Sequence, residues 1–188
     1  LIQKYNIRNV STSLNFLSYI KNALSNYKIN INTFISYPFA DVPVDFINEF
    51  VCYAKEAGAN GIEFTPNFLN LSKNNLNAFA NEIEIINASE LPVTIIINKT
   101  KLNKELFEKA IEISIELGIT NFQFGDGFGA PISNVDIVEI LKFIGNQNSI
   151  KIVGGIRKLS QVIDLFDSGI DYIGTSKFNE IFEEIKLI

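Results

Sequence analysis

The sequence contains no histidine, no methionine, one cysteine and two arginines among its 188 residues. Without histidine, Ser-His-Asp triads, imidazole zinc sites and H-E-x-x-H metalloproteases are excluded. Cys52 alone can form neither an internal disulfide nor a thiolate cluster for a metal, and such sparse usage fits a reducing compartment. No metal and no cofactor is expected. The missing methionines include an initiator, so the expectation is that the natural start of the chain is absent. No uninterrupted apolar run reaches the length of a membrane span, and no secretory leader pattern opens the sequence. Cytoplasm is the expected location. Basic residues are also in short supply, 16 against 21 acids with a pI near 4.8, which argues against a nucleic-acid-binding surface.

What is abundant is apolar residue, 47% of the chain, enough for one globular domain over residues 1–188 to bury a full core. Isoleucine occurs 31 times and asparagine 23 times. Such usage is a bias on composition, so a lone Ile or Asn carries little information, whereas Arg157 carries more. Three times an amphipathic helix ends at a glycine and leads into a short apolar strand. The copies are Phe46–Ala57, Gly58 and Gly61–Phe64; Lys104–Leu117, Gly118 and Asn121–Phe124; Leu159–Ser168, Gly169 and Asp171–Gly174. A glycine at such a helix end supplies the left-handed conformation that stops the helix.

Strands are expected at Ile7–Thr12, Ile29–Ser36, Gly61–Asn67, Val93–Asn98, Asn121–Gly125, Ile150–Gly154 and Asp171–Gly174. Helices are expected between and after them, near Leu14–Asn26, Val44–Ala57, Ser72–Asn87, Lys104–Leu117, Val135–Gly145, Leu159–Ser168 and Lys177–Ile185. Most of the strands read as continuous apolar runs, the pattern of parallel strands covered on both faces. Seven βα units are visible. A doubly wound sheet would show a glycine-rich turn after its first strand, where this chain has Ser13-Leu14-Asn15. The expected fold class is therefore α/β, a (β/α)8 TIM barrel with its first strand missing from the chain. Were that strand absent altogether, the barrel would have an unpaired edge for a homodimer contact or another partner to cover.

Chemistry in such a barrel sits at the carboxyl ends of the strands. Gly154-Gly155-Ile156-Arg157 and Gly174-Thr175-Ser176 each follow a short strand and precede a helix. Backbone N–H groups there, with the Thr175 and Ser176 hydroxyls, suit a phosphate; the plainer alternative is a pair of tight turns. Gly125-Asp126-Gly127-Phe128-Gly129 is not a dinucleotide loop, because Ala130 stands where the motif needs glycine. Glu63 is an acid inside an apolar strand, and Lys151 opens another. Opposite charges on neighbouring interior strands would account for each other's burial, either as a working pair or as a purely structural one.

Read in order, these strand ends resemble the deoxyribose-phosphate aldolase family, class I aldolases with a (β/α)8 barrel. Thr33-Phe34-Ile35-Ser36-Tyr37-Pro38-Phe39 resembles that family's T-V-I-G-F-P. The segment from Glu56 to Phe64, with Asn67, resembles N-G-A-D-E-[IV]-D-M-V-x-N. Gly127-Phe128-Gly129 resembles the end of K-T-S-T-G-F-G, Lys151-Ile152-Val153-Gly154-Gly155-Ile156-Arg157 is similar to K-A-S-G-G-[IV]-R, and Ile173-Gly174-Thr175-Ser176 to R-I-G-T-S. The resemblance runs from about Tyr5 to Ser176.

It implies a lyase of deoxyribonucleotide catabolism that cleaves 2-deoxy-D-ribose 5-phosphate to glyceraldehyde 3-phosphate and acetaldehyde through a Schiff base. It implies a small phosphorylated sugar as ligand, with no nucleic acid and no membrane as partner. Its second lysine, which depresses the pKa of the first, falls on Lys151, and its proton-relaying aspartate on Glu63. Its imine-forming lysine falls on Gln123, which cannot form an imine. Three outcomes stay open: Lys151 becomes the nucleophile, Lys99 swings in, or the chain is a catalytically lapsed sugar-phosphate-binding or regulatory protein. The phosphate would lie on Gly154, Gly155, Gly174, Thr175 and Ser176.

Overall fold

The structure is a computed structural model that describes residues 2 and 4–186. The described residues fall into two compact units. One runs to Ile95 and includes Glu112–Ile119; the other comprises Ile96–Ile111 and the residues from Thr120 onward.

In the first unit β1 (Asn9–Ser13), β2 (Asn30–Ile35), β3 (Gly61–Phe64) and the start of β4 (Val93–Ile97) pair in parallel and in chain order. After β1 come a 3-10 turn (Leu14–Phe16) and α1 (Leu17–Ala23); α2 (Val44–Glu56) follows β2; α3 (Phe68–Ser72) and α4 (Leu76–Asn87) follow β3. Ile31 of β2 packs with Leu17 of α1, with Ala54 of α2, and with Ala59. A fully buried Leu or Ile contributes about 1.5–3 kcal/mol, so this seam fixes which face of β2 meets the helices.

The other face is polar. Ser11 is the register partner of Asn32, Phe34 of Glu63 and Glu63 of Thr94, so Ser11, Asn32, Glu63 and Thr94 share it. β3 is buried at every residue, as expected of a strand covered on both faces, but β1 and β2 depart from that expectation. Exposure alternates residue by residue in β1 and β2, because one side takes the helices and the other carries hydrogen-bonding groups.

In the second unit β5 (Asn121–Phe124), β6 (Ser149–Val153) and β7 (Tyr172–Gly174) are parallel and consecutive. A 3-10 turn (Lys99–Lys101) precedes α5 (Lys104–Glu116), of which the residues up to Ile111 belong to this unit; α6 (Asn134–Ile144), α7 (Leu159–Asp167) and α8 (Phe178–Ile185) follow β5, β6 and β7 in turn. Phe107 of α5 stacks at a tilt against Phe124 of β5, ring centroids 5.6 Å apart.

The punctuation expected from sequence is present. Gly58, Gly118 and Gly169 follow α2, α5 and α7 with φ of 82°, 85° and 94°, the left-handed region that a side chain would strain. Two helices differ from expectation: Leu14–Asn26 opens as a 3-10 turn and ends at Ala23, and of the stretch Ser72–Asn87 only Ser72 falls in α3, the rest of the helix starting again at Leu76 in α4. Asn74 takes φ 57°, and the Asn75 side chain accepts a hydrogen bond from Ala78 N, starting a new helix.

Candidate active site

Gln123 on β5 and Lys151 on β6 are register partners, so parallel pairing sends both side chains from one face. Gln123 is 1% exposed. Its Nε2 donates to the Gly125 carbonyl at 3.0 Å, which fixes the amide orientation, since a carbonyl oxygen only accepts. Its Oε1 is buried and accepts no hydrogen bond from any described residue, Lys151 included. Lys151 itself is half-buried. Next along, Gly174 leaves no room for a side chain: a Cβ there would lie 2.6 Å from Val153 Cγ2 and 3.2 Å from Lys151 Cε.

Gly125 holds the turn that receives the glutamine. Its N–H donates to Ile97 O at 3.1 Å and its φ is 82°. A Cβ at this position would stand 2.1 Å from Val153 O, so only glycine lets the end of β5 approach the end of β6 so closely.

Beyond it Asp126 is buried and ion-paired to Lys101 at 2.6 Å, and it accepts from Phe128 N at 2.9 Å. Burial pushes its carboxyl pKa up, but bonds from Asn98, Lys101 and Phe128 outweigh that and hold it below the ordinary value. Lys99 does not swing toward this face. Its Nζ is held by Asp136 at 2.7 Å and Glu139 at 2.8 Å, both on α6, and lies over the Phe107 ring. Partial burial lowers its pKa, yet the two carboxylates more than reverse that, so the amine is held protonated and unsuited to attack a carbonyl.

The two glycine-containing loops meet. Thr175 Oγ1 donates to Ile156 O at 2.8 Å, tying the loop after β7 to the loop after β6. Gly154 and Gly155 both have positive φ. Two details correct the expected phosphate geometry. The Thr175 hydroxyl proton is engaged by that carbonyl and is no open donor. The α7 N-terminus begins only at Leu159, whose N–H goes to Glu184 Oε2 at 2.8 Å, while Arg157 N and Lys158 N go to Gln161 Oε1. Those amides already hold acceptors.

Glu63 lies in the first unit on β3, whose ladder partners are β2 and β4, whereas Lys151 lies between β5 and β7. Their strands are not neighbours, contrary to expectation. Glu63 is 1% exposed, and its Oε1 accepts from Ser11 Oγ at 2.6 Å and Asn32 Nδ2 at 3.4 Å, so part of the cost of its burial is met locally. A groove of about 430 Å³ in the same unit is lined by Asp41, Asn67, Asn70, Asn81 and Glu82 among others. Glu82 accepts from Asn67 N at 2.8 Å and Asn70 Nδ2 at 3.0 Å. Burial raises its pKa more than those bonds lower it.

Lys101 and Glu184 are additional residues of these loops that the sequence does not point to directly. A carboxylate just past a strand end was the available signal for Lys101; nothing local pointed to Glu184, 25 residues from the amide it caps.

Comparison with known proteins decides the family. Over 164 residues the chain is 30% identical to the deoxyribose-phosphate aldolase of Dictyoglomus turgidum, covering 86% of this chain and 75% of that one. This chain belongs to the deoxyribose-phosphate aldolase family. The deoxyribose-phosphate aldolase of Mycoplasmoides pirum is 27% identical over 189 residues, 96% of this chain and 84% of that protein. That of Gloeobacter violaceus is 27% identical over 132 residues, and there the match spans only 58% of the relative's length. No family model matches the chain. Among solved structures, the aldolase QR15 superposes with a TM-score of 0.88 at 22% identity, over 96% of this chain and 82% of that one. The deoxyribose phosphate aldolase of Aeropyrum pernix, described as a tetramer, gives 0.85 at 18% identity, over 98% and 80%. The fold class is that of the aldolase TIM barrels, with seven of the eight βα units in this chain. No described helix is long and apolar enough to cross a membrane.

Proposed function

We propose that this family member binds a small phosphorylated sugar at the carboxyl ends of β5, β6 and β7 without forming a Schiff base at position 123. The phosphate is assigned to the backbone of Gly154, Gly155, Gly174 and Ser176, with Thr175 locking the two loops. Gln123 and Lys151 face the carbon chain, and Glu63 stands at the family's proton-relay position. The observation that carries the reading is Gln123, buried on the ladder opposite Lys151, its amide locked by Gly125. An amide nitrogen has no lone pair free to attack an aldehyde, so the family's electron sink is missing there. Retro-aldol turnover of 2-deoxy-D-ribose 5-phosphate is then expected to be absent or several orders of magnitude below that of a lysine-bearing relative.

One observation favours a second reading, in which the chain is an active aldolase: Lys151 shares the face of Gln123 and could take over imine formation. Borohydride reduction with the sugar phosphate, followed by intact mass and peptide mapping, separates the two. The expected result is thermal stabilisation by the ligand with no adduct; an adduct on Lys151 with ordinary turnover would establish the second reading. A homodimer is also proposed, a point sedimentation measures directly.

A further inference from the structure

We infer that Gln123 reads a ligand hydroxyl rather than a carbonyl, so that this site selects the cyclic hemiacetal or reduced alditol form of a sugar phosphate over the open-chain aldehyde. The inference rests on the sugar-phosphate reading above and adds what chemical form the ligand takes.

It comes from the two ends of one amide. One of the two Nε2 hydrogens goes to Gly125 O at 3.0 Å, and the conformation of Gly125 is imposed by its contact with the end of β6. The donor end is therefore turned toward the protein. The acceptor end, Oε1, is buried without a partner among the described residues. A buried acceptor left unsatisfied is costly, and a molecule that brings it an O–H recovers that cost. An aldehyde or ketone oxygen is itself an acceptor and would face Oε1 lone pair against lone pair. A hydroxyl donates.

Access to this face runs along the ladder. Moving outward from Gln123, Lys151 and then Val153 and Gly174 on the same face are half-buried, and Tyr172 is exposed, so the surface opens progressively from β5 to β7. Gly154, Gly155 and Ser176, the amides proposed for the phosphate, flank that open end. A ligand anchored there by its phosphate extends along the face toward Gln123.

The test is titration calorimetry of the full chain with two probes that cannot form a carbonyl: 2-deoxyribitol 5-phosphate and its analogue lacking the terminal C1 hydroxyl. Inorganic phosphate serves as the reference for the anion site. The hydroxyl-bearing probe is expected to bind about 10-fold or more tightly than its analogue, the scale of one hydrogen bond to a buried acceptor. In Gln123→Leu that preference should vanish while the affinity for inorganic phosphate is kept. Gln123→Met, a near-isosteric change that leaves only a weak thioether acceptor, repeats the measurement should leucine disturb packing. Equal affinity of the wild-type chain for the two alditol probes would overturn the inference and leave the sugar-phosphate reading standing. Failure of both probes to bind the folded chain would overturn both. A borohydride-trapped adduct with 2-deoxyribose 5-phosphate would show the site handling a carbonyl, and would also overturn the inference.

Discussion

At the scale of single residues, the proposed ligand chemistry rests on position 123 and on Gly125, whose carbonyl holds its amide. Gln123→Lys places an amine beside Lys151 on one face, and a nearby cation favours the neutral amine that attacks a carbonyl. This substitution is expected to raise retro-aldol activity on 2-deoxyribose 5-phosphate from background, with a borohydride adduct at residue 123. Absence of both in a folded variant would show that an amine at this position does not suffice for imine formation. Gly125→Ala is a harsher change. Its φ of 82° and the 2.1 Å approach of a new Cβ to Val153 O force the β5 and β6 ends apart. The expected loss is at least about 2 kcal/mol, a drop of roughly 4–8 °C in Tm for a chain of this size. An unchanged melting curve would mean that the turn relaxes freely.

Elements were the most legible scale. Observed strands begin and end within about three residues of expectation, because glycine caps and short apolar runs are local signals. The break between α3 and α4 was not legible, since Asn74 and Asn75 are ordinary in a chain with 23 asparagines. Glu63 is met by Ser11 and Asn32, 52 and 31 residues away, a pairing that only the parallel register creates. The contact of Lys99 with α6 was not legible either, because it depends on the 3-10 turn at Lys99–Lys101. That contact makes α6 responsive to charge. Deleting the ammonium in Lys99→Met keeps an unbranched stem for the Phe107 ring but releases Asp136, whose pKa burial raises and the Lys99 and Ser133 bonds lower further. Nuclear magnetic resonance titration is expected to show the Asp136 pKa moving up toward its ordinary value. The loss in stability should be about 1 kcal/mol or less, because the pair is only partly shielded. An unmoved Asp136 titration would assign its low pKa to Ser133 and the α6 N-terminus instead.

For the whole molecule, opposing carboxylates set the response to pH. Asp126, Asp136 and Glu139 are all held below their ordinary values; for Asp126 burial acts against this and the bonds from Asn98, Lys101 and Phe128 prevail. A lowered folded pKa means the unfolded chain binds the proton more tightly, so these groups give stability that is present above about pH 4 and lost as pH falls through their folded values. Glu82 has the opposite sign. Burial raises it above 4.5, so its protonated form favours folding, and stability is lost as pH rises from 4.5 through its folded value. Denaturant unfolding across pH 2–8 is therefore expected to show stability climbing from acid to about pH 4, with the Glu82 contribution then pulling it down. Asp126→Asn should flatten the acid limb, since its bond to Lys101 no longer titrates. Glu82→Gln should remove the decline above pH 4.5, at the cost of one of the two contacts that hold Asn67 and Asn70, about 1 kcal/mol at every pH. A Glu82→Gln profile parallel to the wild type throughout would show that Glu82 stays ionised with an ordinary pKa, and that the Asn67 and Asn70 bonds fully offset its burial.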